Sequence, residues 1–303
     1  MNKKIVVIVG PTASGKSALA ISLAKSLNGE VISADSRQVY RGLDIGSGKI
    51  TKREMMGIPH HLLDVTNPKR TYTASQYKHD AQKALGQIAK KRKTPIVVGG
   101  TGLYIDALLG NIQIPEVKPC GKLRRQLVIK TTAELFVILQ KLDPKRSKTI
   151  DKHNPRRLIR AIEIAKSLGH VPPIDKRRSL LSIGNVLWVG LTLPEKELRL
   201  NIHKRLVKRL KTGMVKEVKK LRKSLSWKRL ESFGLEYRYV AQYLQGKITK
   251  EEMVRRIEVE SWRYAKRQMT WFKRNKKIKW FSPKPKDERK ILQTTRRFLS
   301  LSR

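Results

Sequence analysis

A strand of β-branched residues followed at once by a glycine-rich turn constrains this chain more than any other feature. Residues 5–9 are all Ile or Val, and residues 10–17 read Gly-Pro-Thr-Ala-Ser-Gly-Lys-Ser before a stretch rich in Ala and Leu. A strand before and a helix after are the setting that a phosphate-binding loop requires. Backbone amides, the helix N-terminus and the Lys16 ammonium group would face a phosphate, and the Ser17 hydroxyl can bind Mg²⁺. The predicted loop residues are Gly10, Pro11, Thr12, Ala13, Ser14, Gly15, Lys16 and Ser17. The loop predicts a phosphorylated substrate but not the group that is transferred.

The charge of the chain is strongly positive. Its 303 residues include 68 Lys and Arg against 24 Asp and Glu, a formal charge of +44. A general bias of the organism's proteins would explain part of this excess, but a chain this basic should bind polyanions at least non-specifically. Nucleic acid is therefore the first partner that the composition predicts.

The cysteine count and the hydropathy limit the cellular compartment in which this chain is expected. The single cysteine, Cys120, excludes an intrachain disulfide and a cysteine-based metal cluster, and it favours a reducing compartment. No apolar run is long enough to span a bilayer, and the chain enters a strand without a signal-peptide pattern. We expect a cytoplasmic monomer that contacts no membrane.

Two further strand ends carry polar residues that could meet the phosphate-binding loop. Residues 30–34 form a predicted strand that ends at Asp35, and residues 95–98 form another that ends in a glycine turn around Thr101. Ligands of open parallel sheets bind at the carboxyl ends of the strands. Lys16, Asp35 and Thr101 are therefore expected in one crevice, although Asp35 could instead cap a helix or a turn.

Adjacent histidines at positions 60 and 61 raise the question of a metal site. Neighbouring residues on an extended segment point to opposite sides, so His60 and His61 are poor joint ligands. A structural or substrate-contacting role is expected for them.

The alternation of strands and helices breaks at residues 111–121, where we place a domain boundary. The predicted fold class is α/β, a P-loop-type parallel sheet flanked by helices, with an inserted, mainly helical domain. The predicted regions are a catalytic core at 1–113 and 183–283, the inserted helical domain at 114–182, and a basic C-terminal tail at 284–303.

Basic residues gather on two predicted helices. Arg156 and Arg160 are four residues apart and share a helix face, with Arg157 beside them. Such a face can be merely solvated, or it can contact phosphates. A helix over roughly 250–276 interleaves basic and aromatic residues at 262–274, which suits phosphate contact and base stacking, although part of the aromatic stripe is expected to be core.

Four motifs occur in order along the chain, at residues 10–17, 35–46, 99–104 and 265–271. In these motifs and their separations the chain closely resembles the bacterial tRNA dimethylallyltransferases, also called tRNA isopentenyltransferases, from residue 4 to about residue 281. The resemblance implies transfer of a dimethylallyl group from dimethylallyl diphosphate to N6 of adenosine 37, next to the tRNA anticodon. The products would be N6-(dimethylallyl)adenosine in tRNA and free diphosphate.

The resemblance also implies catalytic and diphosphate-binding roles. Asp35 would accept the N6 proton with Thr101 beside it, and Lys16 would complete the catalytic set. The loop of residues 10–17 would bind the diphosphate, with Mg²⁺ near Ser17. An arginine of the family contacts the diphosphate as well, and the candidates here are Arg205 and, as the alternative, Arg209.

A larger set of residues matches the positions that contact tRNA in the family. The implied tRNA contacts are Asp35, Ser36, Arg37, Gln38, Thr101, Arg124, Arg156, Arg157, Leu158, Ile159 and Arg160. The last six all fall in the predicted inserted domain, which would therefore bind tRNA.

Three other functions stay open on the residues alone. A kinase of small metabolites uses a similar loop but leaves the basic helices unexplained. An enzyme that prenylates free adenine nucleotides would not need an arginine-rich inserted domain. A non-catalytic RNA-binding protein would not need Lys16, Asp35 and Thr101 together. The lack of an Asp-Asp pair disfavours a chain-elongating prenyl synthase, which would grip Mg²⁺ with aspartates.

Overall fold

The computed structural model describes residues 4–172 and 185–300. The strands are β1 (Ile5–Val9), β2 (Gly29–Ser33), β3 (His60–His61), β4 (Thr94–Val98), β5 (Val186–Leu191) and β6 (Lys279–Phe281). The helices before β5 are α1 (Lys16–Ser26), α2 (Lys52–Met55), α3 (Ala74–Lys90), α4 (Gly102–Leu108), α5 (Gly121–Val128), α6 (Thr132–Leu142), α7 (Pro144–Ser147) and α8 (Pro155–Leu168). The helices after β5 are α9 (Glu195–Thr212), α10 (Met214–Arg222), α11 (Trp227–Ser232), α12 (Leu235–Leu244), α13 (Lys250–Phe272) and α14 (Pro285–Ser300).

The six strands form one parallel sheet in the order β3-β2-β4-β1-β5-β6. Near its centre, Val7 of β1 pairs with Val97 of β4 on one side and with Trp188 of β5 on the other. Every residue of β1 is fully buried, because helices cover both faces and each face therefore needs apolar side chains. The predicted fold class is confirmed.

Residues of β1 alternate between two apolar layers. Val7 packs in one layer with Tyr77 and Ile88 of α3, and Val6 packs in the other with Leu19 of α1. Burial of each large apolar side chain contributes about 1.5–3 kcal/mol. These layers hold α1 and α3 against the sheet and so fix the loops at the carboxyl ends of β1, β2 and β4.

Helices α9 to α13 form a third apolar cluster in the same part of the molecule. Leu206, Met214 and Tyr237 are buried in it, and Leu43 from the loop after β2 packs among them. The second half of the chain is thereby anchored to the loop that follows β2.

The described residues divide into two compact units, 4–109 with 185–300 and 110–172. The second unit consists of α5 to α8. Its buried core residues are Leu127, Leu135, Leu139, Leu158, Ala161 and Ile162. Thr131 and Glu134 form a capping box at the start of α6, and Asn154 caps α8 before Pro155. Caps of this kind stabilise a helix by about 1 kcal/mol each, so they help to keep the helices of this small unit folded.

Some predicted bounds differ from the structure. The second unit begins at residue 110 rather than 114, and the predicted boundary at 182 lies outside the described residues. The segment predicted as a tail forms the 16-residue helix α14, whose Ile291 packs in the layer with α1. The last long helix of the core ends at Phe272 rather than near residue 276. Strand β6 was not predicted, because it has three residues and one of them, Lys279, is exposed.

None of the helices in the described segments is both long and apolar enough to cross a membrane.

Candidate active site

The turn between β1 and α1 has the backbone that its sequence predicts. Gly10 has φ 147° and Gly15 has φ 88°, both in the region that favours glycine. A Cβ at Gly10 would lie 2.5 Å from the Leu191 carbonyl oxygen, so glycine lets β1 and β5 end side by side. Gly15 is the N-cap of α1 and has no side chain to bond the first amides of the helix. An anion at this helix N-terminus would satisfy those amides.

Lys16 turns back over this loop, and its ammonium group donates to the Pro11 carbonyl oxygen at 2.5 Å. Burial, together with nearby Arg205, lowers the pKa of Lys16 to about 7, and Asp35 opposes this shift. The Ser14 hydroxyl is buried and has no hydrogen-bond partner among the described residues. A phosphate bound here would stabilise the Lys16 charge and offer acceptors to the loop.

A single pocket of about 650 Å³ collects most of the predicted residues of the first unit. Its wall includes the loop residues from Thr12 to Ser17, the segment from Asp35 to Gln38, and Arg205. Gly10, Pro11 and Thr101 do not line the pocket, but they contact residues that do, namely Ser14, Lys16 and Ser36. The structure therefore brings the three strand ends together as predicted.

The carboxyl ends of β2 and β4 are joined by hydrogen bonds around Thr101. The Ser36 amide donates to Thr101 Oγ1 at 3.2 Å, and the Thr101 amide donates to the Ala34 carbonyl at 3.1 Å. A Cβ at Gly99 would lie 2.2 Å from that same carbonyl oxygen, so the close approach needs glycine. Thr101 thus helps to fix the position of the segment that carries Asp35.

Asp35 uses only one carboxylate oxygen for the fold. Its Oδ1 accepts from the Arg37 amide at 2.7 Å and from the Gln38 amide at 3.2 Å. Oδ2 accepts no hydrogen bond within the described segments, and Asp35 lines the pocket. The Asp35 side chain therefore stabilises the turn through Oδ1, and its Oδ2 can still contact a ligand.

The two candidate arginines have different partners. Arg205 donates to Thr12 Oγ1 at 2.9 Å, whereas Arg209 donates to Glu236 Oε1 at 2.6 Å in an ion pair. Burial and the neighbouring Arg209 lower the pKa of Arg205 to about 10. Arg205 bonds a neutral side chain of the phosphate-binding loop, so it is the better placed of the two to meet a diphosphate.

The glycine-containing loop after β2 is held by a carboxylate that the sequence did not single out. Glu217 accepts from the amides of Asp44, Ile45 and Gly46 and from the Tyr237 hydroxyl. Tyr237 in turn accepts from the Ser47 amide at 3.1 Å. These hydrogen bonds hold the loop as part of the pocket wall, which Ser47 lines.

The basic and aromatic stripe on α13 mainly supports the glycine turn after β4 by packing against it. Trp271 donates to Asp106 at 2.8 Å and occupies the place of a side chain at Gly102, where a Cβ would lie 2.2 Å from the Trp271 ring. Phe272 is buried in the sheet layer, and Trp262 is flanked by Arg199 and Lys266. The expectation of core residues is confirmed for Phe272 and for Trp271, which packs against the same core, whereas Trp262 is half-buried. Stacking of bases on the stripe stays a prediction.

The predicted tRNA-contacting residues of the second unit fall into three groups: arginines paired with a buried carboxylate, apolar side chains of the helical core, and exposed arginines. Arg124 and Arg160 both pair with the buried Glu163, at 2.7 and 3.4 Å. The Leu158 side chain is fully buried in the helical core, so it cannot present itself to a ligand. Arg156 and Arg157 are exposed on the first turn of α8. Ile159 is half-buried and packs against the same core as Leu158.

The paired histidines do not form a metal site. His61 bonds the buried Glu30 at 2.7 Å, which fixes β3 to β2, and His60 bonds the Ile58 carbonyl at 2.8 Å. Across the described residues there is no cluster of His, Cys, Asp and Glu that could hold a metal ion. Ser17 lines the pocket, which suits a Mg²⁺ ion carried mainly by phosphate oxygens with one protein hydroxyl.

Comparison with known proteins places the chain in a family. The family model described as IPP transferase matches residues 38–275. A tRNA dimethylallyltransferase 2 of Treponema denticola is 44% identical over 276 residues, which cover 90% of this chain and 92% of that protein. A tRNA dimethylallyltransferase of Thermomicrobium roseum is 39% identical, with 93% and 87% covered.

Solved structures agree with these relatives. The full-length tRNA isopentenylpyrophosphate transferase of Bacillus halodurans superposes with a TM-score of 0.74 at 34% identity, covering 99% of this chain and 97% of that one. A eukaryotic dimethylallyltransferase acting on tRNA superposes with a TM-score of 0.81 at 26% identity, covering 97% and 77%.

The fold and the pocket define a class of protein, a parallel α/β protein with its pocket at a phosphate-binding loop. The match over most of its length makes the particular family plain. The chain belongs to the IPP transferase family and is a prenyltransferase.

Proposed function

We propose that the chain transfers a dimethylallyl group from dimethylallyl diphosphate to N6 of adenosine 37 in tRNA. The single observation that carries the proposal is the pocket itself. It combines a phosphate-binding loop with two cations, Lys16 and Arg205, and one carboxylate oxygen, Asp35 Oδ2, that the fold leaves unused. The cations can then stabilise the departing diphosphate, and the carboxylate can accept the proton of the attacking amine.

The loop side of the pocket supports departure of diphosphate. As the allylic C–O bond breaks, negative charge grows on the diphosphate oxygens. Lys16, Arg205 and the amides of the loop are fixed before the reaction and would stabilise that charge without reorganising. The phosphate-binding loop would thus serve a leaving group rather than a transferred phosphoryl group.

Mg²⁺ is part of the proposal. Ser17 would hold the ion, and the ion would neutralise charge on the diphosphate oxygens. The protein contributes one hydroxyl because most of the remaining ligands of Mg²⁺ are expected to be phosphate oxygens and water.

The strand-end side of the pocket supports removal of a proton. The exocyclic amine of adenine is a weak nucleophile and loses a proton as the new C–N bond forms. Asp35 Oδ2 would accept that proton, while the Arg37 and Gln38 amides on Oδ1 keep the carboxylate oriented. General-base catalysis of this kind contributes about 10²–10⁴-fold to a rate.

The tRNA would supply the adenine by turning it out of the anticodon loop, since enzymes that modify a base take it out of the stack to reach it. Arg37 at the pocket and the exposed Arg156 and Arg157 of the second unit are the groups we assign to phosphate contacts. A monomer remains the expected working unit, and a tRNA substrate supports action in the cytoplasm.

Choice of acceptor tests the proposal. The protein is incubated with Mg²⁺ and dimethylallyl diphosphate and offered unmodified tRNA with adenosines at positions 36 and 37, free AMP, or no acceptor. We expect prenylated adenosine in tRNA and none in AMP. Product from AMP alone would assign the chain to nucleotide prenylation. A parallel incubation with Mg²⁺ and ATP covers the remaining alternative, since ATP hydrolysis there without any prenylated product in the first assay would favour a kinase.

A further inference from the structure

Gln268 on α13 connects two loops of the pocket wall, those that follow the neighbouring strands β1 and β4. Its Oε1 accepts from the Thr12 amide at 2.8 Å, and its Nε2 donates to the Gly100 carbonyl at 3.0 Å. The side chain is buried, with 5% exposed, so both bonds are protected from water. One amide therefore links residues that are 88 positions apart in the chain, Thr12 and Gly100.

Each of these loops carries one half of the proposed chemistry. Thr12 belongs to the phosphate-binding loop, and its hydroxyl also accepts the hydrogen bond of Arg205. Gly100 precedes Thr101, whose hydroxyl accepts from the Ser36 amide beside Asp35. A shift of Gln268 would thus move the diphosphate side and the base side relative to each other.

The glycine at position 100 is matched to this amide. A Cβ there would lie 1.9 Å from Gln268 Nε2 and 3.2 Å from its Cδ, and the next atom, the Tyr264 hydroxyl oxygen, is 3.8 Å away. The Gly100 backbone is not in the left-handed region, so glycine is needed for space and not for conformation. A side chain at 100 and the amide of Gln268 exclude each other.

We propose that Gln268 is a positioning residue that fixes the distance between the diphosphate-binding loop and the Asp35–Thr101 pair. Gln268 itself reaches the pocket wall, but its two hydrogen bonds go to the backbone of the loops and not to Lys16 or Asp35. Its effect on the reaction comes from geometry, because misplacement of reacting groups by about 1 Å can cost about 100-fold in rate. The inference rests on the proposed function, since it concerns the spacing of leaving group and base.

The first test is the substitution Gln268→Met, which keeps the size of the side chain and removes both hydrogen bonds. The matched control is Gln245→Met, which removes an amide that donates to Glu231 and to the Ala241 carbonyl, away from the phosphate-binding loop and Gly100. We measure the single-turnover rate of prenyl transfer at saturating substrates, the Kd for tRNA and the thermal midpoint of unfolding.

We expect Gln268→Met to lower the single-turnover rate by about 10- to 100-fold with an unchanged Kd for tRNA. The control is expected to lower the midpoint of unfolding to a similar extent and to keep the wild-type rate. A rate for Gln268→Met equal to that of Gln245→Met would overturn the proposal. If the Met variant does not fold, Gln268→Glu replaces it, since this change keeps the acceptor for Thr12 and removes the donor to Gly100. A wild-type rate at saturation would again overturn the proposal.

A double-mutant cycle with Gly100→Ala gives the second test. Alone, Gly100→Ala should displace the Gln268 amide and lower the rate by roughly the same factor as Gln268→Ala. In the double variant the new methyl group has room, so we expect no loss beyond that of Gln268→Ala. Losses that multiply would show that the two residues act separately and would overturn the proposal. A wild-type protein without tRNA prenylation would instead refute the proposed function, so the two failures are distinguishable.

Discussion

Two carboxylates that lie among arginines and lysines behave differently in the two units of this protein. Glu163 in the second unit is buried, and both of its oxygens are taken, Oε1 by Arg124 Nε and the Cys120 amide and Oε2 by Arg124 and Arg160. Asp35 in the first unit has one oxygen bound to two amides, whereas the other accepts no hydrogen bond within the described segments, and the residue lines a pocket with Lys16 and Arg205. The first arrangement is complete without a ligand, and the second is not.

The pKa directions follow this difference. The Glu163 carboxylate raises the pKa of Arg124, and Arg124 and Arg160 help to lower the pKa of Glu163 against the effect of burial. In the pocket, burial lowers the pKa of Lys16 to about 7 and that of Arg205 to about 10. Cations held below their usual pKa are poised to gain from an anionic ligand, whereas cations already paired are structural.

The largest expected effect concerns the open carboxylate. Asp35→Asn keeps an acceptor for the Arg37 and Gln38 amides and removes the base, so turnover should fall by about 10²–10⁴-fold. The Kd for tRNA should stay close to that of the wild type. Rapid-quench kinetics and filter binding measure the two quantities. Near-normal turnover would remove Asp35 from the role of base and erase the contrast with Glu163.

The next effect separates the two pocket arginines. Arg205→Gln should raise the KM for dimethylallyl diphosphate by about 10- to 100-fold, because a hydrogen bond to a charged group is worth about 1.5–3 kcal/mol. The paired change Arg209→Gln with Glu236→Gln removes an ion pair and should raise that KM less. Steady-state kinetics with varied diphosphate substrate decides between them. An equal rise in both variants would mean that the Glu236 pair does not set Arg209 apart.

A third, smaller effect is a pH dependence that belongs to Lys16. Below pH 7 the free protein has Lys16 protonated, and above pH 7 it must take up a proton to bind diphosphate as a cation. The Kd for inorganic diphosphate should therefore rise with pH above 7, by up to about tenfold per pH unit, relative to the Kd of Lys16→Met. Calorimetry from pH 6 to 9 on both proteins measures this ratio, and using the ratio cancels the ionisation of diphosphate itself. A ratio that stays constant across this range would show that the Lys16 charge does not depend on the ligand.

The smallest effect on turnover is expected at the closed carboxylate. Glu163→Gln should destabilise the second unit by about 1–3 kcal/mol, because Arg124 and Arg160 lose their charged acceptor in a buried place. The folded pKa of Glu163 is lowered, so its stabilisation is present above the unfolded pKa of 4.5 and is lost as the pH falls through the folded value. Denaturation at pH 7 and at pH 4 should show the difference shrinking at the lower pH. A loss of turnover at saturating substrates, with stability unchanged, would make Glu163 a residue of the reaction rather than of the fold.

The sequence predicted the fold because the strongest local signals lie on β1, whose run of five β-branched residues requires apolar cover on both faces. The same logic predicted the meeting of Lys16, Asp35 and Thr101, since parallel strands end at one edge. The carboxylate that pairs with a given arginine cannot be predicted in the same way. Glu163 lies 39 residues from Arg124, and no local pattern joins them.

Other parts of the site depended on contacts between distant segments. Glu217 binds the loop at 44–46 across more than 170 residues, and Gln268 bonds Thr12 across 256. Gln268 does lie within the fourth motif of the sequence, yet its basic and aromatic neighbours pointed to nucleic acid instead of to a brace. The glycines at 99, 100 and 102 are the signal that could have indicated a close neighbour, because each one is in contact with atoms that a side chain would displace.

If this pocket transfers a prenyl group to one adenosine of tRNA, the position of the prenylated nucleotide in the product shows it. Two tRNAs, identical except for adenosine or guanosine at position 37, are incubated with the protein, Mg²⁺ and dimethylallyl diphosphate, then digested and mapped by mass spectrometry. The account predicts one dimethylallyl group on N6 of adenosine 37 in the first tRNA and none in the second. A prenylated nucleotide elsewhere, or equal product from both tRNAs, would contradict it.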